Sequence, residues 1–172
     1  MTETTTGRRP RVLVGIDGSP AAHAALEFAV REARMRDATL MAVMAVELPD
    51  YRWIDPYMVR THPEEDTLQR ARQELDKILA AAGTEGLNVD PVVTATPAPQ
   101  ALVDRSADSD LLVVGSRGHG GFRGLVLGSV SMQCVLHGRC PVTVVHTEPQ
   151  PRPQIHRTVE EVRRETTAAP FF

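Results

Sequence analysis

Five short runs of almost unbroken apolar residues, each followed by a segment of different periodicity, constrain this chain more than any other feature. The runs are RVLVGID (Arg11–Asp17), TLMAVMAVE (Thr39–Glu47), VDPVVTAT (Val89–Thr96), DLLVVG (Asp110–Gly115) and PVTVVH (Pro141–His146). A strand with one face in water alternates apolar and polar residues, whereas a strand covered on both faces reads as a continuous run. These five therefore suit a parallel sheet with helices above and below.

The intervening segments have helical period. Ser19-Pro20 offers an N-cap and a proline at the first helical position. Ala22, Ala25, Leu26, Ala29, Val30 and Ala33 then mark one face at spacings of three and four. A second helix is predicted from Pro63 to Ala82, stopped by Gly83. A third fits Pro97 to Ala107, and a fourth starts near Ser129 and ends near His137-Gly138. Strand–helix alternation of this kind predicts an α/β fold: a doubly wound, five-stranded parallel sheet of order 3-2-1-4-5 with right-handed crossovers. Such sheets bind ligands at the carboxyl ends of the strands where the order reverses. Here that point lies between the first and fourth strands, which end at Asp17 and Gly115.

At 172 residues the chain accommodates one domain of this type. The regular text spans 11–146. Residues 1–10 are expected to form a flexible N-terminus, and 147–172 a mobile tail that begins proline-rich (EPQPRPQ) and continues charged (IHRTVEEVRRE). The segment Leu48–His62 holds Trp53 and both tyrosines, Tyr51 and Tyr57, and suits a lid or a cover for the sheet edge equally well. A net charge of −3 argues against a nucleic-acid partner. No apolar run approaches the ~20 residues of a membrane span, and MTETTTGRRP lacks the apolar stretch of a secretory signal. The expected compartment is the cytoplasm. Cys134 and Cys140 have no metal spacing, and neither do the histidines, so no protein metal site is expected.

The fourth run opens into VVGSRGHGGFRGLVLGSVS, where six of the chain's 12 glycines fall between Gly115 and Gly128. Free N–H groups at the start of a helix, glycines that bring no Cβ, and the cations Arg117 and Arg123 together suit a phosphate. Ser129 and Ser131 add hydroxyl donors at the same helix end. A Walker A loop requires GxxxxGK[ST], and this stretch has no lysine. A Rossmann fingerprint requires GxGxxG, but the first strand ends in Gly15-Ile16-Asp17-Gly18, and the frame from Gly118 places Arg123 at its last position. What remains is G-x2-G-x9-G-S at Gly115, Gly118, Gly128 and Ser129.

With VGIDGSPAA at the first strand and CPVTVV at the last, this pattern resembles the ATP-binding branch of the universal stress protein family, from Arg11 to His146. The resemblance implies an adenine nucleotide, ATP with or without Mg2+, lying across the first and fourth strand ends. Gly115, Gly118, Gly128, Ser129 and Ser131 would surround its phosphates, with Val130 supplying backbone and Arg117 pairing with a phosphate oxygen. Ile16 and Asp17 would line the adenine–ribose side, and Ala45 would approach the base. It also implies a homodimer through the last strand, Val142–His146, which as an apolar edge invites pairing.

Each residue has a plainer reading beside that one. Asp17 can cap a turn, Ser19 is expected as a helix cap, His119 as a loop histidine, and Gly120, Gly121 and Gly124 can simply loosen the loop. Cys134 is expected to pack as a small apolar residue. Three functions remain open: a nucleotide-dependent stress sensor or regulator, a slow ATPase or AMP-forming transferase, and a nucleotide-independent scaffold. Nothing in the sequence resembles a hydrolytic apparatus, because Asp17 alone does not position both metal and nucleophile.

Overall fold

The structure is a computed structural model and describes residues 8–48, 63–118 and 127–147. In chain order the elements are β1 (Arg11–Ile16), α1 (Pro20–Met35), β2 (Thr39–Ala45), α2 (Pro63–Ala81), β3 (Val89–Thr94), α3 (Ala98–Ser106), β4 (Leu111–Gly115), α4 (Ser129–His137) and β5 (Val142–Val145). All four strand pairings are parallel, and the sheet order is β3-β2-β1-β4-β5, as the alternation of elements predicts. The central β1 aligns Val14 with Ala42 of β2 on one side and with Val113 of β4 on the other.

Successive strand residues point to opposite faces, and the continuous apolar runs therefore feed two cores. Val12, Val14, Leu40, Ala42, Leu111 and Val113 meet Ala25, Leu26, Ala29 of α1 and Leu75, Ile78, Leu79 of α2. On the other face Leu13, Met41, Val43, Leu112 and Val114 meet Ala101 and Leu102 of α3 and Cys134 of α4. Leu13, Leu26, Leu40, Leu75 and Leu112 are completely buried, each contributing about 1.5–3 kcal/mol through removal from water.

Helix boundaries follow local chemistry. Ser19 caps α1 with an extended backbone, and its hydroxyl accepts the Ala22 N–H at 3.2 Å. The same helix ends without glycine: Asp37 takes the left-handed conformation at φ 47°, and Ala38 N–H reaches back to Ala33 O at 2.9 Å. Gly83, at φ 67°, follows α2 as its spacing predicts.

Most strands stop short of their apolar runs. Asp17 lies just outside β1, and its Oδ1 accepts the Ser19 N–H at 2.9 Å, turning the chain into α1. The carboxyl end of β1 thus leads to a helix on one face of the sheet, while β4 leads to α4 on the other. The two chains part at that point and leave a crevice between them.

Candidate functional site

That crevice is a pocket of about 440 Å³. Ile16, Asp17, Ala45, Gly115, Arg117, Gly118, Gly128, Ser129, Val130 and Ser131, the residues singled out in the sequence, all line it. They come from the ends of three strands, the segments that follow β1 and β4, and the start of α4, and so from parts of the chain that the sheet order brings together.

α4 begins at the pocket without a side-chain cap. Gly128 is the N-cap residue, with φ −73° and ψ 164°, and the first helical hydrogen bond runs from Met132 N to Gly128 O at 2.9 Å. The N–H groups of the first turn find no acceptor inside a helix, and the aligned peptide dipoles give this end a partial positive charge. Arg117 lines the same space, half-buried, and its side chain makes no hydrogen bond or ion pair among the described residues. An anionic group entering here meets N–H donors and a cation together.

The backbone around this end is stitched in place. Ser116 N–H donates to Val145 O at 2.7 Å, and Gly128 N–H donates to Ser116 O at 2.8 Å. The Ser19 hydroxyl, besides capping α1, donates to Arg117 O at 3.4 Å and so links the two sides of the crevice. The Ser131 hydroxyl is buried and donates to Gly115 O at 2.6 Å, holding the end of β4 against α4. Ser129 is exposed at the pocket rim.

At two of the motif's glycines, Gly115 and Gly118, the polypeptide itself occupies the space a Cβ would take. A Cβ on Gly115 would lie 2.6 Å from the carbonyl carbon of Ala21 and 2.8 Å from its oxygen, inside the backbone of α1. On Gly118 it would collide with Oδ2 of Asp17. On Gly128 it would meet Arg117 Cα at 3.4 Å, close to ordinary contact, and the φ of −73° suits any residue. The first two glycines let β4 and its loop close against α1 and Asp17.

Away from the charged end the lining is apolar. Val43, Ala98, Leu102 and Val114 form a floor that the sequence disguises as core, because each occupies an ordinary inward position of β2, α3 or β4. The start of α3 at Ala98 is the signal that finds them, since it places a helix end beside the reversal point. An apolar floor with polar groups at one end suits a flat ring joined to an anionic group. Asp17 is exposed and is the one carboxylate among the described lining residues. Among the described residues no three His, Cys, Asp or Glu side chains gather to hold a metal. A magnesium ion arriving with a polyphosphate fits this donor set, since it keeps waters and phosphate oxygens and needs only one or two carboxylates. Asp17 would supply one.

Cys134 packs in the core, as expected, and burial pushes its thiol pKa up to about 11. Burial, together with the charge of Asp110, also raises Cys140. His119, Arg123, Gly120, Gly121, Gly124, the Tyr51–Trp53–Tyr57 segment and the tail from 148 lie outside the described residues. No helix among the described residues is long and apolar enough to cross a membrane.

The sequence model of the Universal stress protein family matches residues 9–146. Universal stress protein Rv2623 of Mycobacterium tuberculosis is 35% identical over 155 residues, covering 83% of this chain and 50% of that protein. The chain thus spans about half the length of the curated relatives it matches. Among solved structures, hypothetical protein MJ0577 superposes with a TM-score of 0.69 at 17% identity, over 81% of this chain and 97% of its own. A universal stress protein solved in complex with cAMP gives 0.56 at 27% identity, over 81% and 98%.

Proposed function

Because the chain belongs to the universal stress protein family, we propose that its crevice binds an adenine nucleotide, ATP in the first place, and that occupancy regulates a stress response through conformation or partner binding. The observation that carries this reading is the composition of one pocket: an apolar floor at Val43, Leu102 and Val114, and at its end the uncapped start of α4 beside Arg117. The base and ribose would rest between Ile16, Asp17 and Ala45. The phosphates would take N–H donors from Ser129 and Val130, each charge-assisted bond contributing about 1.5–3 kcal/mol. The relative in complex with cAMP supports an adenine nucleotide as the ligand class. The reading takes binding without rapid turnover, and among the described lining residues Asp17 is the one carboxylate.

The same reading takes the protein as a cytoplasmic homodimer. Among the described residues β5 pairs with β4 alone, and its valines are only half-covered. Its other edge, with His146 next in the chain, would pair with the same edge of a second copy.

Native mass spectrometry of the purified protein, followed by equilibrium dialysis with ATP, AMP and cAMP, tests the central point. Stoichiometric ATP without phosphate release is expected. An empty crevice at millimolar ATP would leave the scaffold reading in its place, and multiple turnover lost in Asp17→Ala would favour the ATPase.

A further inference from the structure

Three large apolar side chains stand in solvent on the outer side of α4: Met132 at 43% exposure, Val135 at 47% and Leu136 at 64%. Their spacing of three and four places them in one stripe. The inner side of the same helix buries Ser131 and Cys134, where α4 packs on α3, β4 and β5. α4 is therefore apolar on two sides, and the described residues cover only one.

Beyond the described residues the chain carries a segment of matching pattern. In IHRTVEEVRRE, Ile155, Val159 and Val162 recur at positions i, i+4 and i+7, with His156, Arg157, Thr158, Glu160 and Glu161 between them and Arg163, Arg164 and Glu165 after. Wound as a helix, this stretch would have one narrow apolar face and a polar, mostly charged remainder. We propose that residues 155–162 dock as an amphipathic helix along the Met132–Val135–Leu136 stripe of the same chain.

The connection has the reach. Thr147 lies two residues beyond the end of β5, and the seven residues EPQPRPQ separate it from Ile155. With three prolines this linker favours an extended polyproline path of ~3.1 Å per residue, about 22 Å in all. α4 sits against β5, and its outer side is about one helix diameter, roughly 10 Å, from the sheet side of that helix. A tether of this length sets an effective concentration in the millimolar range. The chain's own segment is thereby favoured over a second copy, the other occupant that an apolar helix face invites. The proposal is independent of what the crevice binds.

Hydrogen exchange on the full chain without nucleotide tests it, read by mass spectrometry on peptides covering 155–162. Docking predicts exchange slowed about tenfold or more relative to an unstructured peptide, the factor that 1.4 kcal/mol of docking free energy provides. The slowing is expected to vanish in Leu136→Glu and equally in Val159→Glu. Leu136 is mostly exposed, so its replacement spares the fold, and β1 amides serve as the internal control for folding. Unprotected exchange in the parent protein overturns the proposal, as does protection that survives both substitutions. Protection lost on dilution assigns the stripe to a second copy and overturns it too.

Discussion

Gly115→Ala separates the two explanations for the glycine-rich segment. The new Cβ would sit 2.6 Å from Ala21 C, 2.8 Å from Ala21 O and 2.9 Å from Ala21 Cβ. The first two are backbone atoms of α1, which cannot rotate aside as a side chain would, so α1 and β4 must move apart. Overpacking of this kind costs about 1–3 kcal/mol, and a rigid neighbour points to the upper half. About 0.4–1 kcal/mol returns because alanine restricts the unfolded chain more than glycine does. The net expectation is a loss of about 1.5–2.5 kcal/mol, with the melting temperature lower by roughly 3–10 °C for a chain of this size. Urea unfolding without nucleotide measures it, with the slope unchanged and the midpoint shifted. Gly128→Ala, where the closest atom is Arg117 Cα at 3.4 Å, is the control and is expected to stay within about 0.5 kcal/mol of the parent. Were Gly115→Ala as stable as the parent but deficient in nucleotide binding, the packing argument would be wrong and the ligand would be what excludes the Cβ.

Ser131→Ala removes the 2.6 Å bond to Gly115 O and leaves that carbonyl without its partner, so a loss of about 1–2 kcal/mol is expected in the same urea experiment. Arg117→Ala is expected to weaken ATP about ten- to a hundredfold in calorimetry while leaving adenosine nearly unaffected, since only the anion loses a partner; equal losses for both would remove the guanidinium from the phosphate end. The Cys134 thiol has its pKa raised from 9.0 to about 11 in the folded state. Its contribution to stability is fully present below pH 9 and is lost as pH rises toward 11, because the unfolded chain releases the proton first. Unfolding midpoints between those values should therefore fall more steeply for the parent than for Cys134→Ala, whatever the variant's baseline.

The fold is legible because local and global signals agree at each element. The strand runs are apolar on both faces because both faces are in fact covered, and Ser19-Pro20 caps the helix that its position announces. The lining of the pocket is legible for a related reason: the reversal point of the sheet fixes which strand ends adjoin, and Ile16, Ala45 and Gly115 are those ends, with Asp17 next after the first. What the sequence hides is the partner of each group. The fit of Gly115 against Ala21 and the bond from Ser131 to Gly115 are tertiary facts between residues distant in the chain, and no periodicity encodes them. Val43, Leu102 and Val114 are hidden differently, since a side chain facing an open crevice and one facing a packed core obey the same alternation.

The hydrogen bond from Gly128 to Ser116 has a consequence of its own. It fastens together the two described ends of the chain, at Ser116 and Gly128, that flank residues 119–126. Added length there raises the entropic cost only slowly, about 0.6 kcal/mol per doubling. A change of length between those two ends is therefore expected to leave that staple shut.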